Sequence, residues 1–401
     1  MNELKVYFLM GDADCNDPNI PAYSDRFLQE LSDASGFKIV CAPIEEVADQ
    51  VLPVFFIASG GAEEGFKAAY LKARQPYVLL TTPSYNSLAA AMEIMGFLDD
   101  QGLRGEILHG TSSRIAERLN VLYRAAWAIE HIKGMRLGAV GKPSGLIASE
   151  ARADVLHQAS GMVIVDLDLM ELIEEYKKGG YPENEFTEQL KKSDFPADEI
   201  EKALHVYGAS KRMIEKYNLQ AITVRCFELL KHIDTTGCLA LAILNTEGIP
   251  AACEGDTKSL ISMVILSAIT GSTSFMANPS CMDPDTGEII FAHCTLPIDM
   301  PDSYTLTTHF ETGIGVAVAG DFQPGAMTVL KCNDSLTRWY AGAAELIDSS
   351  HRQDLCRTQM RLKLKDGTGY FEHGPIGNHH MICKGDWTAE INEFFNMIKN
   401  N

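Results

Sequence analysis

The sequence predicts an α/β protein: two doubly wound parallel-sheet domains in series, followed by a β-rich C-terminal domain. Three observations lead there. Short apolar runs alternate with helix-like segments through the first 270 residues. The alternation restarts near Met135. After Gly271 the chain becomes a succession of short apolar runs divided by Gly, Pro, Asp and Asn. The expected domains are therefore 1–133, 134–270 and 271–401.

In the first domain KVYFLM (5–10), FKIVCA (37–42), VFFIAS (54–59) and PYVLLTT (76–82) read as buried parallel strands, since each is nearly all apolar. SDRFLQELSDAS (24–35) and SLAAAMEIMGFLDD (87–100) read as the helices between them, and 112–134 as a long helix. The loops 11–21, 58–65 and 81–87 should gather at the carboxyl ends of the strands, where such sheets bind ligands. MRLGAVGKPSG (135–145) begins a second sheet, continued by GMVIVDLD (161–168), LQAITVRCF (219–227) and IPAACE (249–254). Six later runs read as antiparallel strands: 288–297, 302–310, 313–322, 326–333, 359–367 and 379–386. A helix over 387–400 closes the chain.

Composition narrows the function. Of the 401 residues 46% are hydrophobic and 22% charged, the balance of an ordinary globular protein. No apolar run approaches the roughly 20 residues a membrane helix needs. The N-terminus lacks the basic start and cleavage site of a secretory signal, so the expected location is the cytoplasm. A net charge of −20 argues against nucleic acid or an anionic membrane as partner. The ten cysteines, from Cys15 to Cys383, form no CxxC pair and read as reduced, mostly buried thiols. The turn glycines of ASGGAEEG and VGKPSG fit neither dinucleotide nor P-loop spacing, so no nucleotide cofactor is expected.

Three stretches carry chemistry. In IPAACEGD (249–256) an apolar run stops at Glu254 and Asp256, just before the greasy segment SLISMVILSAI (259–269). Asp256 sits where a carboxylate would cap that helix. Glu254 lies two residues earlier, on the turn that faces the sheet's carboxyl edge. FAHC places His293 at the end of a strand, where a satisfied core histidine is the simpler reading. HGPIGNHH (373–380) sets His379 next to His380, and neighbours in a strand face opposite ways, so one could enter a site while the other packs. Imidazole and carboxylate are ligands that first-row divalent ions accept. Arg225, at a strand end, suits an oxygen-rich or anionic group, or equally a surface ion pair.

CEGD with its apolar helix, then TSFMANP, FAHC and GNHH, resembles in order the superfamily of L-fucose isomerase and L-arabinose isomerase. The resemblance spans most of the chain and is strongest over 224–300 and 377–380. It implies metal-dependent aldose–ketose isomerisation of an open-chain sugar by enediolate proton transfer, in a compact cytoplasmic homo-oligomer (a trimer or hexamer) with sites near subunit interfaces. It implies Glu254 as metal ligand and proton-transfer base, and His293 and His380 as further ligands. The family's second carboxylate falls at Ala277–Asn278, where Asn278 can offer an oxygen to a metal but cannot take a proton. The second acid or base is then Asp256, acting beyond its cap, or Asp283 or Asp285 recruited from nearby in the sequence, and Asn378, His379 and Arg225 are candidate substrate contacts. The expected ion is Mn²⁺, with Co²⁺, Zn²⁺ or Mg²⁺ as alternatives. A deoxy sugar, or an anionic one such as sulfoquinovose, is a candidate substrate. The alternatives are a non-catalytic sugar-binding protein on the same scaffold, and an epimerase or lyase using the same chemistry.

Overall fold

The computed structural model describes residues 3–14, 16–48, 50–143 and 145–399; Cys15 lies outside them. The chain divides into two compact units, residues 1–130 with 396–401, and residues 131–395.

The first unit holds a five-stranded parallel sheet. Its strands are β1 (Glu3–Leu9), β2 (Lys38–Pro43), β3 (Val54–Ile57), β4 (Tyr77–Thr81) and β5 (Gly105–Leu108), in the order β2-β1-β3-β4-β5. The four expected strands are all present. The run GEIL of β5 was not anticipated, being too short and too mixed to stand out. β3 and β4 are buried along their whole length, which is why they read as continuous apolar runs. Phe55, Phe66 and Tyr77 meet edge to face beneath the sheet.

In the second unit the parallel pattern restarts with β6 (Arg136–Val140), β7 (Val163–Leu167), β8 (Ala221–Val224) and β9 (Ala251–Ala252), ordered β7-β6-β8-β9. Next comes the helix Thr257–Thr270, which packs on β8 and β9. Eight further strands follow: β10 (Phe275–Asp283), β11 (Glu288–His293), β12 (Ser303–Thr307), β13 (Ala317–Asp321), β14 (Gly325–Cys332), β15 (Trp339–Asp348), β16 (Thr358–Leu364) and β17 (His380–Lys384). Six of them close into an antiparallel barrel, β10-β11-β16-β15-β14-β17, while β12 and β13 pair separately. The fold class is as expected. Two barrel strands escaped the sequence pattern: β10 contains Pro279 and a bulge, and β15 contains the weak strand formers AGAA.

The helix Thr257–Thr270 also packs on β14 and β17. It is thus held between parallel sheet and barrel, and an all-round apolar surface is what that position requires. No helix among the described residues is long and apolar enough to cross a membrane.

Candidate metal centre

The site begins with a turn. β9 ends at Ala252, and Glu254 and Gly255 both take left-handed backbone conformations, φ 61° and 69°. For a glutamate this costs on the order of 1–3 kcal/mol, a strain that surrounding structure must hold. Gly255 is required twice over, because a Cβ there would also lie 2.9 Å from the carbonyl oxygen of Lys142. The turn lifts the Glu254 carboxylate off the sheet edge and sends the next residue into the helix. Asp256 caps that helix: one carboxylate oxygen accepts from the Ser259 amide at 2.8 Å and the other from the Ser259 hydroxyl at 2.7 Å.

The barrel brings two imidazoles to the turn. His293 ends β11, and His379 immediately precedes β17. Their Nε2 atoms lie 3.7 and 3.5 Å from Glu254 Oε1. One ligand atom from each of these three residues lies within 4.8 Å of the others, the only such group of His, Cys, Asp or Glu among the described residues. A divalent ion bound at roughly 2.0–2.2 Å by oxygen and nitrogen needs donors spaced like this. Each imidazole is held from behind. His293 Nδ1 pairs with the Thr295 hydroxyl at 2.9 Å, and His379 Nδ1 with Asp256 Oδ2 at 3.0 Å. His379 Nε2 is buried and has no hydrogen-bond partner. A buried nitrogen that faces a carboxylate without bonding it fits a metal ligand whose other ring nitrogen is anchored by a carboxylate.

The electrostatics agree. Burial acts to raise the Glu254 carboxyl, but the facing imidazoles of His293 and His379 outweigh it and hold the pKa down to about 2. Burial likewise opposes ionisation of Asp256, and Lys331, His379 and Ser259 hold it well below the ordinary carboxylate range. Burial acts to lower the His379 pKa, whereas Asp256 and Glu254 raise it above the usual histidine value. Lys331 and the facing imidazoles thus compensate the buried Asp256 and the partly buried Glu254 carboxylates.

Lys331 went unnoticed in the sequence. It is 1% exposed, its ammonium 2.8 Å from the Ser259 hydroxyl and 3.7 Å from Asp256 Oδ2. A signal existed: in AMTVLKCN it stands inside a run, Met327–Cys332, that is buried throughout.

The other expected site residues divide. Asn278 lines the cavity that also exposes Glu254 and His293, and its side-chain oxygen accepts from Asn378 Nδ2 at 2.9 Å. His380 does not join the cluster. Its Nδ1 pairs with the Asn378 carbonyl at 2.8 Å and its Nε2 with the Tyr370 hydroxyl at 3.1 Å, among the rings of Phe291, Tyr340 and Phe371. Burial pushes its pKa down to about 3. The alternation of neighbours anticipated for the pair is present: His379 faces Glu254 and His293, and His380 packs among the aromatic rings. Arg225 stands at the start of the short helix Cys226–Leu229, its guanidinium 3.9 Å from Glu228, and is not among the residues lining the cavity.

No protein-family model matches the chain. Two curated proteins do, each named sulfoquinovose isomerase. That of Alkalicoccus urumqiensis is 24% identical over 191 residues, and that of Clostridium sp. (strain MSTE9) 25% identical over 190. Each match covers 45% of this chain and 42% of the relative, so the chain spans well under half the length of the curated proteins it is similar to.

Proposed function

We propose that the protein is a metal-dependent aldose–ketose isomerase acting on an open-chain sugar. The observation that carries this reading is the cluster of Glu254, His293 and His379, with the orphaned Nε2 of His379 aimed into it. The likeness to two proteins named sulfoquinovose isomerase supports it. Glu254, His293 and His379 would hold a divalent cation, Mn²⁺ being the first candidate, which supplies Lewis-acid stabilisation of an enediolate when bound.

The chain's own groups do the rest. Glu254 is ionised and stands at the cavity wall, so it suits proton transfer between the two carbons of the sugar. Asp256 takes a different part from the one first expected. Both its oxygens are engaged by Ser259 and His379, and it is completely buried, so it orients His379 rather than moving a substrate proton. Asn278 can orient a hydroxyl but cannot accept a proton from it. Glu311 and His309 also line the cavity and are the candidates for the second proton transfer. If neither serves it, the second reading is a protein that binds a sugar at the metal without turning it over.

The test is exchange at C2. The protein, loaded with Mn²⁺ or stripped by chelator, is incubated in D₂O with a panel of aldoses that includes sulfoquinovose. Loss of the C2 proton signal with metal, but not without, is expected for at least one sugar. Sugar binding with no exchange across the panel would select the second reading. Light scattering tests the homo-oligomer that the resemblance implies.

A further inference from the structure

The cavity beside Glu254 is lined by five cysteines, Cys226, Cys238, Cys253, Cys294 and Cys356. Two of them are in unusual contact. The Cys253 thiol donates to the Cys226 sulfur at 3.0 Å, and the Cys226 thiol donates to the Val224 carbonyl at 3.2 Å. This chain of donors aims one sulfur at the other.

The backbone explains why. Cys226 follows β8 by two residues and Cys253 follows β9 directly, and the two strands are parallel neighbours with Thr223 opposite Ala252. That register sets Val224 opposite Cys253 and Cys226 two residues further on, so it is the 3.0 Å contact between the sulfurs, rather than facing Cα atoms, that brings the pair close to the ~2.05 Å of a disulfide bond. The pair is 6% and 4% exposed, so it is closed to large reagents, yet both residues border the cavity.

We propose that Cys226 and Cys253 form a thiol modification site, at which a small peroxide entering the cavity closes a disulfide. One thiol attacks the peroxide and becomes a sulfenic acid, releasing the first water from hydrogen peroxide. The second sulfur then attacks the sulfenic sulfur, the S–S bond forms, and a second water leaves. Two thiols lose two electrons and two protons, and one peroxide O–O bond takes up both electrons. The bond would tether the residue immediately before Glu254 to the neighbouring strand end.

The experiment reads the covalent link itself, so it is independent of the isomerase reading. The native protein is treated with hydrogen peroxide, denatured in acid, alkylated and mapped by mass spectrometry without reductant. The expected product is a Cys226–Cys253 linked peptide, two hydrogens lighter than the sum of the free peptides and lost on reduction with dithiothreitol. In Cys226→Ser, first shown to be folded by circular dichroism, Cys253 should stay alkylatable under the same treatment. Two results would overturn the proposal: both thiols fully alkylated at a peroxide dose that oxidises the exposed Cys281, or Cys253 linked instead to Cys238, Cys294 or Cys356. The wild-type map decides even if the variant does not fold.

Discussion

The two parallel sheets offer a direct comparison, because both end in tight turns at their carboxyl edges and only one gathers ligands. In the first sheet the edge is self-contained. The Gly11 amide donates to Ser59 Oγ at 3.0 Å, the Gly60 amide to the Tyr85 carbonyl at 2.8 Å, and Tyr85 and Asn86 both take positive φ. Strain is present there, but the bonds satisfy backbone groups and leave no cluster of ligating side chains among the described residues. In the second sheet the strained residue is Glu254, and the strands β11 and β17 deliver His293 and His379 to it. A sheet edge by itself therefore makes a turn; it becomes a candidate metal centre where a second layer supplies donors.

The most direct way to break this contrast is Glu254→Gln. It should reduce turnover by about 10²–10⁴-fold, the usual worth of a general acid–base group. Isothermal titration with Mn²⁺ should show weakened binding; an unchanged variant would remove the turn from the site. Next in size is the histidine pair. His379→Gln should weaken the ion by at least about 100-fold, more than the 10–100-fold typical of outer-shell partners, whereas His380→Gln should leave affinity within a few-fold and lower thermal stability. The reverse result would restore His380 as the ligand.

Lys331→Met should come third. It strands the buried Asp256 carboxylate, which costs about 3–5 kcal/mol in denaturant unfolding, and it should loosen metal binding by about 10–100-fold through His379. Acidity gives a smaller, graded effect. The raised His379 pKa means that the metal-free protein gains its stabilisation below the ordinary histidine value and loses it as pH rises through the folded one. The lowered Glu254 pKa contributes above about 4.5 and is lost as pH falls towards about 2. Metal binding needs a neutral His379, so the gain in melting temperature on adding Mn²⁺ should be larger near about pH 8 than near about pH 6. The smallest effect at the metal should be that of Ser59→Ala. Removing the partner of a buried amide should cost about 1–3 kcal/mol and leave Mn²⁺ affinity unchanged.

The sequence made the local features plain and hid the non-local ones. The Glu254 turn and the Asp256 cap were legible because each depends on a few consecutive residues. His293 was visible at a strand end, but its partnership was not, because it depends on barrel register. The choice between His379 and His380 turns on which face of β17 meets the helix Thr257–Thr270, and spacing alone cannot fix that face. Lys331 was overlooked because a single lysine in a strand ordinarily points to water. The thiol pair was hidden for a similar reason: Cys226 and Cys253 meet only because β8 and β9 are neighbours.

Barrel closure also has a consequence for how the chain matures. The ring is completed where β10 meets β17, and His379 and Asp256 are 123 residues apart along the chain. Contacts at such separation are slow to form, because the entropy of closing a long loop must be lost before the contacts repay it. The second parallel sheet and its capped helix can assemble while β17 is still unpaired. In that intermediate Glu254 would already be on its turn, but His379 would be elsewhere. Tight metal uptake would then mark the last stage of folding, and titrating Mn²⁺ during refolding would time the closing of the barrel.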